Sequence, residues 1–294
     1  MRKEKNSNKM KRAVWLLLLS LLLLLPVGVH AQACYTAADS VTVVKLLKEA
    51  VGQGKKTGLP LFFARKLLGR PYVAYTLEVN DEERLVVNTR QLDYTTLVET
   101  VTALSLCAKQ GKTGFADYLH QLTMLRYREG RLNRYPSRLH YFSDWIDDNA
   151  KMGWVEEVQS PNPPFSQVQK LKTDYMSQHP TSYKALRSHP EFIPEIRKQE
   201  KSLTGRTYRF IPKSEVKNTK IMRAAVKDGD IIAITCSKPG LDIAHLGFAV
   251  WKKDGLHLLN ASMIHKKVVD EPMTLYQYLQ KHPSHTGIRI VRMK

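Results

Sequence analysis

The amino-acid sequence predicts an α+β fold in which N-terminal helices pack on an antiparallel sheet. Apolar residues in the first half recur at helical spacing, over 39–51, 59–68, 93–109 and 115–125. From residue 208 onward the chain changes to short runs of strand-forming residues, at 209–211, 230–235, 245–251, 256–261, 267–269 and 288–292. Helical segments followed by strand segments are typical of α+β domains.

The 294 residues are 43% hydrophobic, which allows one large domain with a sizeable core. We assign residues 34–294 to that domain. The polar stretch at about 160–204 is interrupted by prolines and predicts a helical insertion packed on the domain. Earlier in the chain, residues 73–79 and 85–87 predict a two-stranded hairpin, and Ser143 predicts a helix cap.

The N-terminus has the pattern of a secretory signal peptide, which we assign to residues 1–33. Residues 1–12 carry six Lys or Arg against one Glu, residues 13–29 are rich in leucine, and 31–33 read Ala-Gln-Ala. A membrane anchor is the weaker reading, because the run is short and contains Pro26. We therefore expect export to the periplasm or cell envelope. Cys34 follows the cleavage site, and its lipidation is the one membrane attachment left open.

The net charge restricts the classes of binding partner, and the cysteine and histidine patterns bear on disulfides and metal sites. The formal charge of +19 falls to +14 without the signal segment, which favours anionic envelope polymers for an exported protein. No interleaving of aromatic and basic residues indicates nucleic-acid binding. Three cysteines make no disulfide framework, and the histidines lack metal-ligand spacing. We expect a monomer without metal or cofactor.

A helix start at Asp93 is the first candidate for chemistry. Asp93 is a good N-cap, so Tyr94 lies in the first turn, where free N–H groups favour negative charge. A helix N-terminus of this kind lowers the pKa of a cysteine thiol. The residue here is nevertheless tyrosine.

A predicted hairpin supplies the second candidate. The strand 245–251 turns at 252–255, and Asp-Gly favours such a turn before the strand 256–261. A four-residue loop places Asn260 opposite Gly247, and a two-residue loop places it opposite Ala249. In both registers Asn260 shares a sheet face with His245. A histidine oriented by an asparagine is the base half of a thiol–imidazole catalytic set. A lone histidine in a strand is, however, more often structural.

Several longer motifs resemble an exported family of N-acetylmuramoyl-L-alanine amidases, first catalogued as a domain of unknown function. That family resembles the NlpC-like cell-wall cysteine peptidases, which have a papain-like fold. The matching segments are 85–88, 92–99, 133–141, 143–146, 245–247 and 260–262. The resemblance extends from about residue 64 to the C-terminus and implies a papain-like, NlpC-type architecture.

The resemblance also implies roles for individual residues. His245 is the base, Asn260 orients it, Tyr72 lines the nucleophile side of the cleft, and the family cysteine falls at position 94. Tyr94 departs from the family, and a phenol with a pKa near 10 is a poor nucleophile toward an amide. The chain would then bind muramoyl peptides or other peptidoglycan fragments without cutting them. The alternatives are an active amidase with another nucleophile and an envelope interaction protein on the same scaffold.

A basic and aromatic stretch provides candidate ligand contacts. Arginine forks suit the carboxylates of a muramoyl peptide, and aromatic rings suit sugar faces. On this basis we assign substrate binding to Arg134, Arg138, Tyr141 and Trp145. A packed, solvated loop is an equally good reading of the same stretch.

Overall fold

The computed structural model describes residues 33–54 and 57–294. The predicted signal segment, except for Ala33, lies outside the described residues. The predicted α+β class with an antiparallel sheet and packed helices is confirmed. No helix within the described part of the chain is long and apolar enough to cross a membrane.

The first half of the described chain is mainly helical. Its helices are α1 (Ala37–Gly52), α2 (Leu59–Lys66), α3 (Tyr94–Lys109), α4 (Phe115–Arg126) and α5 (Phe142–Lys151). Helix α3 is the central one, because every residue from Thr96 to Ala108 is buried. It packs against α1, α2, α4 and the sheet. This burial fixes the position of its N-terminus, where Tyr94 lies.

Two short strands, β1 (Ala33–Cys34) and β2 (Leu85–Val86), pair in parallel at the edge of this helical layer. The predicted hairpin of 73–79 with 85–87 was therefore wrong. Residues 74–77 form a turn, and Tyr75 has a left-handed backbone with φ of 63°. The segment is held by ion pairs instead of a strand ladder, because Glu78 and Glu83 both bind Arg138.

The main sheet has eight antiparallel strands among the described residues. They are β3 (Val155–Val158), β4 (Gln167–Lys170), β5 (Thr207–Pro212), β6 (Ile231–Cys236), β7 (Ile243–Trp251), β8 (Leu256–Ser262), β9 (Lys267–Asp270) and β10 (His285–Met293). Their order is β4-β5-β10-β6-β7-β8-β9, and β3 also pairs with β10. Alternate residues of β6 enter different cores: Ile231 joins the core under the helices, and Ile232 joins the opposite one.

The segment predicted as a helical insertion contains a strand as well as helices. After β4 come α6 (Tyr175–Gln178), α7 (Lys184–Ser188) and α8 (Ile193–Leu203), which bury a small apolar cluster together with Tyr135, Tyr141 and Tyr208. Two further helices, α9 (Lys220–Ala225) and α10 (Leu275–Gln280), pack on the second face of the sheet. The one-domain assignment and the papain-like, NlpC-type architecture stay predictions.

The predicted cap at Ser143 was also wrong. Helix α5 begins at Phe142 with Tyr141 as its N-cap residue. The Ser143 N–H donates to Asp242 Oδ2 at 2.7 Å, and the Ser143 hydroxyl accepts from Arg289 Nη1 at 2.6 Å. A carboxylate from a distant part of the chain thus replaces the local cap. The same contact fixes Asp242 close to the site described next.

Candidate active site

The hairpin of β7 and β8 brings His245 and Asn260 together. Trp251 lies opposite Leu256, so the loop has four residues and Asn260 lies opposite Gly247 by continuation of the register. The first of the two predicted registers is therefore the one observed. His245 Nε2 and Asn260 Oδ1 are 3.0 Å apart, as the shared sheet face predicted. Gly247 is needed here because a Cβ atom would lie 2.7 Å from the Leu259 carbonyl oxygen.

The hydrogen bonds of Asn260 define the state of the imidazole. Its Nδ2 donates to the Leu258 carbonyl at 3.3 Å, so its Oδ1 faces His245 as an acceptor. His245 Nε2 then carries the proton and Nδ1 keeps a free lone pair. Burial lowers the pKa of His245 to about 4, although the Asn260 bond acts in the opposite direction. At neutral pH the residue is an uncharged imidazole that can accept a proton.

Tyr94 is the first residue of α3 and packs directly on this imidazole. The two ring centroids are 4.7 Å apart with an interplanar angle of 63°. Asp93 caps the helix, since its Oδ1 accepts from the Thr96 N–H at 2.7 Å. Burial, followed by the nearby Asp93 carboxylate, raises the pKa of the Tyr94 phenol above its usual value of 10. The phenol therefore remains protonated at neutral pH.

A second group of rings lies behind His245, and sequence reasoning missed it. The His245 ring stacks on Tyr278 at 6.3 Å, and Tyr278 is next to His282 and His285. The His282 and His285 rings stack at 4.6 Å. Burial lowers the pKa of His285 to about 4, with the charge of His282 as the next cause. Residues 278, 282 and 285 have the spacing of one helical face, which was the available signal, although α10 ends at Gln280.

A cleft of about 200 Å³ opens beside Tyr94. It is lined by Tyr94, Thr95, His140, Tyr141, Phe142, Met176, Tyr183, Leu241, Asp242, Ile243 and Leu246. Sequence reasoning selected Tyr94 and Tyr141 from this set and missed Asp242, although it lies three residues before His245. The available signal was its position just before the predicted strand that carries His245.

The other residues predicted to bind substrate have mixed positions. Burial, followed by the charge of the nearby Asp93, raises the pKa of the Tyr72 phenol. Tyr72 does not line this cleft. Tyr141 does line it, yet its hydroxyl already donates to Glu200 at 2.7 Å. Trp145 is 1% exposed and stacks on Phe142 in the core, so it has no face for a sugar.

The two predicted arginines lie in a different cavity of about 480 Å³. Arg138 is 8% exposed and binds Glu83 with two nitrogens and Glu78 with a third. Its guanidinium is consumed inside the fold, so the predicted role in binding a substrate carboxylate does not fit. Arg134 is exposed and pairs with Glu195 at 3.1 Å. It remains accessible, but away from Tyr94.

The family model described as AmiA-like, N-acetylmuramoyl-L-alanine amidase-like, matches residues 62–288. The chain belongs to this family. A solved N-acetylmuramoyl-L-alanine amidase from Bacteroides uniformis is 39% identical, with a TM-score of 0.75, and the match covers 80% of this chain and 97% of that one. A Bacteroides fragilis protein provisionally named a xylanase is 41% identical, with a TM-score of 0.73 over 78% and 99% of the two chains.

A more distant solved structure, from Legionella pneumophila, shares the fold at 21% identity and a TM-score of 0.66, over 86% and 94% of the chains. No curated protein matches the sequence. The family assignment agrees with the predicted amidase-like family. Its NlpC-like superfamily placement stays a prediction.

Proposed function

We propose that this protein binds peptidoglycan fragments, namely muramoyl peptides and the stem peptides released from them, and has lost the hydrolysis of its family. The amidase-like family model and the solved amidase from Bacteroides uniformis support the ligand class. The observation that carries the loss of hydrolysis is the Tyr94 phenol packed against the His245 imidazole. A protonated and bulky phenol thus occupies the position where the resemblance expects a thiol.

The neighbouring groups support the proposal because they retain the chemistry of a base. The neutral His245 has Asn260 on Nε2, which leaves Nδ1 to take a proton from a nucleophile. A thiol in the first turn of α3 would be easier to ionise than a phenol, because its ordinary pKa is about 8.5 against about 10, and the helix N-terminus would favour the thiolate further. Tyr94 stays protonated and supplies no comparable nucleophile.

The test is to replace Tyr94 with cysteine and, as a matched control, with alanine. In Tyr94→Cys, His245 Nδ1 would accept the thiol proton and the sulfur would attack the muramoyl carbonyl. The imidazolium would then protonate the leaving L-alanine amine, and water would hydrolyse the thioester. We expect peptide release by Tyr94→Cys and none by Tyr94→Ala, which opens the same space without a nucleophile.

Wild-type binding to N-acetylmuramyl-L-alanyl-D-isoglutamine is measured in parallel by calorimetry. Saturable binding without turnover is the expected result. Hydrolysis by the wild type at the rate of Tyr94→Cys would overturn the loss of catalysis and favour an active amidase with another nucleophile. Neither binding nor turnover, in the wild type and both variants, would leave the envelope interaction protein as the better reading.

We also propose that the protein acts outside the cytoplasm, in the periplasm or cell envelope. The basic segment, leucine-rich run and Ala-Gln-Ala sequence motivate this proposal. The intact mass of the protein from the envelope fraction tests it. We expect a chain beginning near Gln32 or Cys34, and an added diacylglycerol mass would show lipidation of Cys34. A mass that includes residues 1–31 would contradict export with cleavage.

A further inference from the structure

Asp242 is a buried carboxylate in the cleft beside Tyr94. The residue is 4% exposed and precedes β7, the strand that carries His245. Its Oδ2 accepts the Ser143 N–H at 2.7 Å. Within the described chain, Oδ1 has no hydrogen-bond partner, and no lysine, arginine or histidine pairs with the carboxylate. Oδ1 is not sealed from solvent, and the residue lines the cleft.

A buried arginine beside Ser143 forms its ion pair with a different carboxylate. Arg289 donates to the Ser143 hydroxyl at 2.6 Å, and its Nε forms an ion pair with Glu157. Its guanidinium also lies 3.8 Å from the centroid of the Tyr208 ring. The arginine therefore contacts the same serine as Asp242 without pairing with the carboxylate.

A structural role as the cap of α5 uses only one of the two carboxylate oxygens of Asp242. The Ser143 N–H and the N-terminus of α5 stabilise negative charge at Oδ2. An amide oxygen would meet that need equally well. Burial of a full charge is costly unless the charge is paired. The second oxygen of this cleft-lining residue has no partner within the described chain and is thus suited to a ligand that donates hydrogen bonds and carries positive charge.

The walls of the cleft favour the same chemistry. Tyr94, Tyr141, Phe142 and Tyr183 contribute aromatic surface around Asp242. Aromatic rings attract cations through their quadrupoles, and a buried carboxylate forms strong hydrogen bonds with an ammonium group. Aromatic side chains together with one carboxylate make a site for an ammonium group attached to a small apolar residue.

We infer that Asp242 binds the free α-ammonium group of a stem peptide, so that the cleft selects peptides whose N-terminal L-alanine is not acylated. This inference rests on the proposed function and narrows its ligand class. Such a peptide is what hydrolysis of the muramoyl–L-alanine amide releases, since that reaction converts the amide nitrogen into an amine. The protein would then bind the product of amidases.

Three ligands that share one dipeptide test the inference by calorimetry. They are L-alanyl-D-isoglutamine, its N-acetyl form and its N-acetylmuramyl form. We expect the free amine to bind roughly tenfold or more tightly than the N-acetyl form, as an interaction with a charged group implies. Asp242→Asn keeps the size of the side chain and an acceptor for Ser143, and it should abolish this preference.

Equal binding of the free and acetylated dipeptides by the wild type would overturn the inference, as would a preference that survives in folded Asp242→Asn. Should Asp242→Asn fail to fold, half-buried Tyr183 provides a second pair of variants. Tyr183→Leu should lower the preference roughly threefold, and Tyr183→Phe should retain it because the ring remains. Equal preference in these two variants would contradict the inference.

Binding of the muramyl ligand alone would refute the inference and leave the proposed function standing, whereas no binding of any ligand would refute both.

Discussion

At the scale of single residues, the site differs from a working thiol–imidazole pair at one position. His245 is neutral, oriented by Asn260 and in contact with the first residue of α3. Tyr94 at that residue carries a phenol where the family resemblance implies a thiol.

We predict that Asn260→Ala lowers the free energy of unfolding by about 1–3 kcal/mol, because it leaves the buried His245 N–H without an acceptor. A double-mutant cycle with His245→Ala, measured by chemical denaturation, isolates the pair. The expected coupling is about 1 kcal/mol. Additive effects of the two substitutions would mean that the hydrogen bond contributes nothing to stability.

Some residue assignments could be made from the sequence and others could not. Parity along two strands joined by a short turn placed His245 and Asn260 on one face, and this needs only local information. Arg138 is consumed by Glu78 and Glu83, which lie more than 50 residues earlier in a segment without regular pairing. Trp145 is on an amphipathic helix whose buried face was not recognised. Long-range ion pairs and the direction of a helix face require the tertiary structure.

At the scale of elements, α3 determines where the candidate site lies. Its start was predictable because Asp93 and Thr96 form a reciprocal cap, with the Asp93 N–H donating to Thr96 Oγ1 at 2.9 Å. The start of α5 was not predictable, because Asp242 provides the carboxylate from almost 100 residues away. The strand predicted at 73–79 has strand-forming residues but no partner strand, so propensity alone was misleading.

We predict that Asp93→Ala destabilises the protein by about 1 kcal/mol through loss of the α3 cap. Asp93→Ser is the matched control, since serine also caps helices and should retain most of the stability. Thermal and chemical denaturation of the three proteins provide the comparison. A serine variant as unstable as the alanine variant would show that the carboxylate acts through its charge and not as a cap.

At the scale of the whole molecule, the sheet separates two cores and carries the site at one end of β7 and β8. Three histidines lie close to that end and share one group of rings with Tyr278. His245 and His285 are buried, and His282 is partly exposed. Their proximity makes additional charge there unfavourable. The stability of the fold should therefore depend on pH through this group.

The pKa of His285 is lowered to about 4 in the folded chain, against about 6.5 for an unperturbed histidine. Between these values the unfolded chain binds a proton that the folded chain does not. Its contribution to stability is thus complete above pH 6.5 and is lost as the pH falls toward 4. The carboxyl groups of Asp93 and Glu99, whose pKa values are raised by burial, act in the opposite direction, so the total pH dependence does not isolate the histidine.

A comparison of the wild type with His285→Gln measures the contribution of His285 together with its coupling to His245 and His282. Glutamine does not titrate, so the difference in unfolding free energy between the two proteins should change by about 1 kcal/mol per pH unit between pH 6.5 and 4.5, in favour of the variant at lower pH. Urea denaturation at a series of pH values measures this difference. At pH 7.5 His285 is largely unprotonated in both the folded and the unfolded chain. The difference in unfolding free energy between the two proteins at that pH is therefore the reference. A difference that stays constant with pH would show that His285 remains as easily protonated in the folded chain as in the unfolded one, and that the group of rings does not resist added charge.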